Sequence, residues 1–325
     1  MAYMTRTNTS SISLQDTLGE AIRRWLYQVK QNAVKPSSFE RLLTSHSLLM
    51  RYSLSNVRMM DLSTADIQTW MNQLVRDHYS YNTIKKAFNL VSAFIKFALG
   101  DGLPIRPVHI NVSLPSERNV NATSGKRDVE AYNDGEQQRL RKVCEEVDNP
   151  AARAVILLLE TGMRVGELLA LQWEDVQWSR RAVRIHRTLV NPASRKKSYV
   201  QDDAKSRTSN RIVPLSAKAM GVITRIYEES GSPSCGLIFR AEHEPGKSIA
   251  YNPLAKAVKL LCKAADVRWT GFHVLRHTFA TNCYYKGCEI KLLSKLLGHA
   301  NVTITYNIYI DLYGDALEEM RAIVG

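Results

Sequence analysis

Hydrophobic positions fall into helical registers through the first third of the chain. Leu14, Leu18, Ile22, Trp25, Leu26 and Val29 recur at the i, i+4, i+7 spacing that gathers side chains on one helix face. A helix is therefore expected from Ser13, with Ser13 and Asp16 as its capping box and Pro36 blocking its continuation. The same period predicts a helix around Phe39, Leu42, Leu43, Leu48 and Leu49, and another from Ser63–Thr64 carrying Ile67, Trp70, Met71, Leu74 and Val75. A fourth runs from about Asn82 through Ile84, Phe88, Val91, Phe94 and Ile95 until Gly100 and Gly102 stop it. Four to five short amphipathic helices with polar loops make a small bundle, and their aromatic stripes read as core.

The pattern breaks over residues 104–130. Prolines extend the first part, the second is polar and rich in breakers, and the segment 116–130 reads as a linker. Beyond it, helices are expected near 135–147 and 150–160. Short runs rich in β-branched residues follow (RAVRIHRTLV, SYVQDD and RIVPL), which predict a small antiparallel sheet. Helices return at 216–229, 252–265, 273–285 and 289–297, and again after 301. The expected fold is mainly α with two domains. A helical bundle spans 13–115 behind a loose tail at 1–12, and a mostly helical domain with one small sheet spans 131–325.

Charge narrows the choice of partner. The 325 residues carry 44 Lys and Arg against 31 Asp and Glu, for a net +13. Both parts are basic, with 13 basic against 7 acidic residues in 1–115 and 31 against 24 in 116–325. Two cationic bodies on one strap suit a polyanion such as duplex DNA, gripped from two sides. The five cysteines (Cys144, Cys235, Cys262, Cys283, Cys288) form no CxxC pair, which argues against a disulfide framework or zinc knuckle and suits a reducing compartment. No apolar run approaches the ~18 residues needed to cross a bilayer, and the N-terminus lacks a secretory core, so a soluble cytoplasmic protein is expected.

Four stretches carry candidate chemistry: TGMRVGELLAL (161–171), AKSRTSNRIVPL (204–215), HVLRHTFAT (273–281) and LLGHANVTITYNIY (296–309). Arg164 follows a Thr-Gly break where a helix restarts, and Glu167 lies three residues on, placed to hold its guanidinium. By itself that pair would be an ordinary surface contact worth ~0.5 kcal/mol. His273 and Arg276, spaced i, i+3 at a helix start, would point an imidazole, a guanidinium and a positive helix end at one anion. His277, one residue further round, reads instead as a buried structural histidine. Cleaving a phosphodiester calls for fixed positive charge on the non-bridging oxygens, a proton for the leaving oxygen and an in-line nucleophile. Arginine suits the first task through its planar, permanently charged fork.

Taken together and in this order, the four stretches resemble the tyrosine recombinase (phage integrase) family over roughly the last 190 residues. The resemblance implies a core-binding domain in the N-terminal bundle and a catalytic domain in the rest. It makes Arg164 the first catalytic arginine, with His273 and Arg276 beside it, and gives His299 a hydrogen bond to the phosphate. Lys205 falls where the family places a hairpin lysine that protonates the leaving 5′-oxygen, with Arg195, Lys196, Lys197 and Arg207 as neighbouring cations. For the nucleophile it offers Tyr306, Tyr309 and Tyr313. Tyr309 is chosen because it stands ten residues after His299 in a Thr-x-x-x-Tyr setting like that of conjugative-transposon integrases. His273 is left open between proton acceptor and phosphate ligand. Neither metal nor cofactor is implied, since a 3′-phosphotyrosine conserves the energy of the broken bond, and the sequence carries no carboxylate cluster or P-loop. The implied partner is double-stranded DNA with specific recombination sites, bound by a homotetramer assembled from free monomers; the resemblance implies a cytoplasmic, nucleoid-associated protein encoded by a bacterium, a phage or a mobile element.

Leu317, Met320 and Ile323 form an apolar stripe after Tyr309, suited to packing on the parent domain or on a neighbouring protomer. Two other activities fit parts of the pattern. A type IB topoisomerase would share the cleavage chemistry but relax DNA as a monomer without a specific site. A non-catalytic DNA-binding protein of the same fold would form no covalent adduct.

Overall fold

The structure, a computed structural model, describes residues 12–124, 131–190, 198–202, 210–241, 244–299, 301–303 and 305. These fall into two compact units, the first ending at Arg127 and the second beginning at Asp128. Both are mainly helical.

In the first unit, α1 (Leu18–Trp25) starts four residues later than its apolar period suggests. Ser13 and Asp16 bond in a turn, while the capping box forms at Thr17 and Glu20, the pair adjoining the first fully helical residue. The helix runs on through a π turn at Leu26–Lys30. Pro36 opens α2 (Pro36–Leu49) from its first position, where a missing N–H costs nothing. Ser63 with Asp66 caps α3 (Thr64–Arg76), and Ser80 caps α4 (Tyr81–Gly100). Trp25, Trp70 and Phe94 are buried at the centre, with the Trp25 and Phe94 rings edge to face at 5.7 Å. A fifth helix, α5 (Glu117–Ser124), occupies part of the segment expected to be a linker. Its one apolar side chain before residue 121, Val120, is buried against this core, and that burial fixes a segment whose composition is otherwise loop-like.

The second unit is built round α7 (Pro150–Thr161), which follows α6 (Asp134–Val147). Asn149 caps α7 and Pro150 opens it. Its residues are buried on nearly every side, as expected of a helix apolar all round. Gly162 ends it in the left-handed conformation (φ +62°), and α8 (Val165–Leu169) begins three residues later. The single sheet expected from the sequence is divided. Strands β1 (Val176–Gln177), β2 (Ala182–Ile185) and β5 (Arg211–Pro214) form one antiparallel sheet in the order β1-β2-β5, and β3 (Arg187–Val190) with β4 (Tyr199–Asp202) forms a separate pair. Register in the first pairs Val183 with Val213 and Ile185 with Arg211. After α9 (Ala217–Glu229) a further pair, β6 (Arg240–Ala241) and β7 (Glu244–Ser248), appears where Glu, Pro and Gly gave no strand signal. Helices α10 (Tyr251–Ala264), α11 (His273–Tyr285) and α12 (Ile290–Leu297) complete the unit, and the chain is helical again at Val302, Thr303 and Thr305. Among the described residues no helix is long and apolar enough to cross a membrane.

Candidate active site

Arg164 stands at the N-cap of α8 with extended backbone angles, so its side chain leaves the helix start instead of lying along the cylinder. Glu167 reaches back from the first turn. One carboxylate oxygen accepts the Arg164 backbone N–H at 2.8 Å, and the other accepts from the guanidinium at 2.8 Å. The same carboxylate takes two hydrogen bonds from Arg211 at the start of β5, at 3.1 and 2.7 Å. Burial by itself would raise the Glu167 carboxyl. The Arg211 hydrogen bonds, with the charges of Arg211 and Arg164, outweigh it and hold the carboxyl below the ordinary range.

Arg276 lies three residues into α11 and is buried, whereas His273 at the helix start is exposed. The Arg276 guanidinium donates to the carbonyls of Gly162 at 2.9 Å and Leu297 at 2.7 Å. Burial and the charges of Arg164 and Arg211 push it down to about 9, opposed by Glu167, and it stays cationic at neutral pH. For His273, the surrounding protein first, then Arg276 and Arg164, lower the imidazole pKa, so the neutral ring dominates at neutral pH.

Three arginines from distant parts of the chain meet the end of one helix. Arg211 donates to the carbonyl of Leu296 at 2.6 Å, Arg276 to that of Leu297, and Arg164 to that of Gly298 at 3.3 Å. These are carbonyls at a helix C-terminus, which lack partners within the helix and carry its negative end. Gly298 caps α12 with φ +69°, and a Cβ there would lie 2.9 Å from an Arg211 nitrogen. The next residue is His299. Its backbone N–H returns to Ser294, and its Nδ1 lies 2.7 Å from the hydroxyl of Thr305. Desolvation, then Arg276, Arg164 and Arg211, bring its pKa to about 4, so the ring is neutral.

Of the residues expected to act, the structure brings together Arg164, His273, Arg276 and His299, with Glu167 beneath Arg164. Lys205 and Tyr309 lie outside the described residues, as do the rivals Tyr306 and Tyr313 and the stripe Leu317, Met320 and Ile323. His277, expected to be a buried structural histidine, is half-buried and makes no hydrogen bond among the described residues. It sits instead within electrostatic reach of His273 and His299. Arg211, which lies in the 204–215 stretch without being singled out by its motif, is the added member, and the sequence carries a signal for it. Strand alternation places it on the inward face with Val213 and Leu215 while Ile212 faces out, and a buried cation needs a partner. Among the described residues no group of three or more His, Cys, Asp or Glu is placed to hold a metal ion.

A family model described as the phage integrase family matches residues 133–315. The chain is 27% identical to a tyrosine recombinase XerC-like protein of Caldanaerobacter subterraneus subsp. tengcongensis, over 93% of this chain and 81% of that one. It is 24% identical to the integrase of Staphylococcus phage L54a, over 93% of this chain and 91% of the relative. Among solved structures, its fold is similar to the Tn1549 transposon integrase in complex with transposon right end DNA. That match has a TM-score of 0.75 at 19% identity and covers 95% of this chain and all of that one. A lambda integrase dimer bound to a core site matches with a TM-score of 0.65 at 17% identity, over 90% of this chain and 77% of that one.

Proposed function

The chain belongs to the phage integrase family of tyrosine recombinases, and from that membership we propose how it cuts and rejoins DNA in site-specific recombination of a mobile element. The observation that carries the reading is the meeting of Arg164, Arg276 and Arg211 on three successive carbonyls beside His299. Cations recruited from three separate segments, with a single carboxylate among them, make a site for an anion.

In the reaction, Arg164 and Arg276 hold the non-bridging oxygens of the scissile phosphate and stabilise the charge that builds up in the pentacovalent transition state. His299 donates to one of those oxygens, and His273 either does the same or receives the nucleophile's proton. The phenolic oxygen of Tyr309 attacks phosphorus in line. The bond to the 5′-oxygen breaks, Lys205 supplies that oxygen's proton, and a 3′-phosphotyrosine remains. A 5′-hydroxyl from a partner strand attacks the phosphotyrosine and returns the phenol, so the number of phosphoester bonds is unchanged and no energy source is consumed. Glu167 and Arg211 hold Arg164 in place.

The substrate is double-stranded DNA carrying specific recombination sites, and residues 13–115 serve as the core-binding domain beside a catalytic domain at 131–325. The neighbour structures include a lambda integrase tetramer bound to a Holliday junction, which supports a tetramer exchanging strands in sequential pairs. Such a reaction runs where the chromosome lies, on the nucleoid in the cytoplasm. Incubation with nicked duplexes from the element's own flanks tests the reading. The wild type should give a protein–DNA adduct that survives denaturation, and Tyr309→Phe should bind the duplex without forming it. An adduct that persists in Tyr309→Phe would move the nucleophile to Tyr306 or Tyr313, and no adduct from the wild type would end the reading.

A further inference from the structure

His299 makes a contact that the cleavage chemistry above does not use. Thr305 is fully buried, and its hydroxyl lies 2.7 Å from Nδ1 of the imidazole. Thr305 is helical, as are Val302 and Thr303, and the Asn301 side chain accepts the Thr303 backbone N–H at 2.9 Å. One partner therefore follows the end of α12, and the other is a helical residue six positions further along the chain.

Which atom donates follows from proton accounting. Among the described residues the Thr305 hydroxyl makes this hydrogen bond and no other. Accepting a proton from Nδ1–H would leave its own proton buried and unpaired, which costs about 1–3 kcal/mol. Donating to a bare Nδ1 pairs both groups. Burial, and then the surrounding guanidiniums, keep the ring neutral, so it holds a single proton. With Nδ1 accepting, that proton sits on Nε2.

We propose that Thr305 is a positioning residue for strand cleavage, whose buried hydroxyl donates to His299 Nδ1 and so commits the ring proton to Nε2, the nitrogen that meets a phosphate oxygen. The inference rests on reading this pocket as the cleavage site. A phosphate diester offers only acceptors to its surroundings, so a ring in the opposite tautomer would turn a lone pair towards negative oxygen and repel the substrate it should bind. Orientation of one ring nitrogen through the other is the usual way a protein chooses a tautomer.

The test compares Thr305→Val, which keeps shape and removes the hydroxyl, with Thr305→Ser, which keeps the hydroxyl and removes a methyl. In full-length protein labelled with ¹⁵N-histidine, the His299 signals (identified by their loss in His299→Gln) should report a protonated Nε2 in the wild type and Thr305→Ser, and a tautomer mixture in Thr305→Val. On nicked duplex, the maximal rate of adduct formation should fall about tenfold or more in Thr305→Val at unchanged half-saturating DNA, by analogy with other groups that orient a histidine. Thr305→Ser should recover most of it. Wild-type tautomer and rate in Thr305→Val, or equal losses in both variants, would overturn the proposal. If the wild type forms no adduct at all, the recombinase reading fails, and the imidazole spectrum alone then decides the role of Thr305.

Discussion

Arg211 closes on Glu167 through both of its terminal nitrogens, with the two side chains 6% and 5% exposed. A fully desolvated pair of this kind is costly to break, because the remaining charge stays buried without its partner. Arg211→Met should therefore destabilise the protein by about 3 kcal/mol or more, even though Arg164 continues to bond the same carboxylate. Urea denaturation of the two proteins measures the difference. A loss below about 1 kcal/mol, the range of exposed pairs, would place this contact in solvent.

Gly298 sits against the Arg211 guanidinium with a positive φ, so Gly298→Ala brings backbone strain and a contact that forces Arg211 to move. The expected result is adduct formation slowed far more than DNA affinity is weakened, since the displaced groups lie beside His299. Parallel measurements of binding and single-turnover cleavage separate the two, and equal wild-type values for both would refute the packing described.

Arg164→Lys keeps the charge and loses the fork. One arm of Arg164 is committed to Glu167 and another to Gly298, a division of labour a lysine ammonium cannot copy. Cleavage should drop by about 100-fold or more while affinity for the duplex changes little, a size typical of removing one transition-state donor. Wild-type turnover by this variant would take Arg164 out of the chemistry.

Acidification should weaken the fold in two windows. His273, His277 and His299 all have lowered pKa values, His299 reaching about 4. From the ordinary value of 6.5 downwards the unfolded chain takes up protons that the folded one refuses, so stability declines with falling pH until the folded rings also titrate. Glu160 and Glu167 are depressed below 4.5, and their stabilisation, complete above that value, is lost as pH falls through their folded values. Urea midpoints should begin to drop near pH 6.5. A plateau from pH 7 to pH 5 would contradict the neutral, crowded histidines.

Binding to duplex DNA should weaken steeply with salt, by roughly a thousandfold between 50 and 200 mM if six or more phosphates are neutralised. A titration series over that range decides the matter, and a flat response would remove the phosphate backbone as the main source of affinity.

The sequence disclosed those parts of the site that depend on local spacing. Arg164 with Glu167, and His273 with Arg276, are separated by three residues and reveal themselves to anyone counting along a helix. Arg211 was visible in a weaker sense, as a cation in step with Val213 and Leu215 on the inward side of a strand. The acceptors at Leu296, Leu297 and Gly298 were not visible, because a backbone carbonyl is the same atom in every residue and only the fold determines which ones meet a cation. In the fold, the helical period predicted the long helices well and their ends less well, as Thr17 in place of Ser13 shows. Helix α5 escaped notice because one buried valine, Val120, outweighs a loop-like composition. Strands β6 and β7 escaped because Glu, Pro, Gly, Lys and Ser carry no strand period.

Both hydrogen bonds of Arg276 end on peptide oxygens, those of Gly162 and Leu297. A carboxylate that aims a guanidinium also cancels much of it. A peptide dipole aims it and leaves the full unit of charge in place. Held that way, Arg276 keeps its charge beside Arg164 and Arg211, whose repulsion is opposed by Glu167. Positive charge is thereby built into this place by the backbone itself, ready for an anion that can answer it.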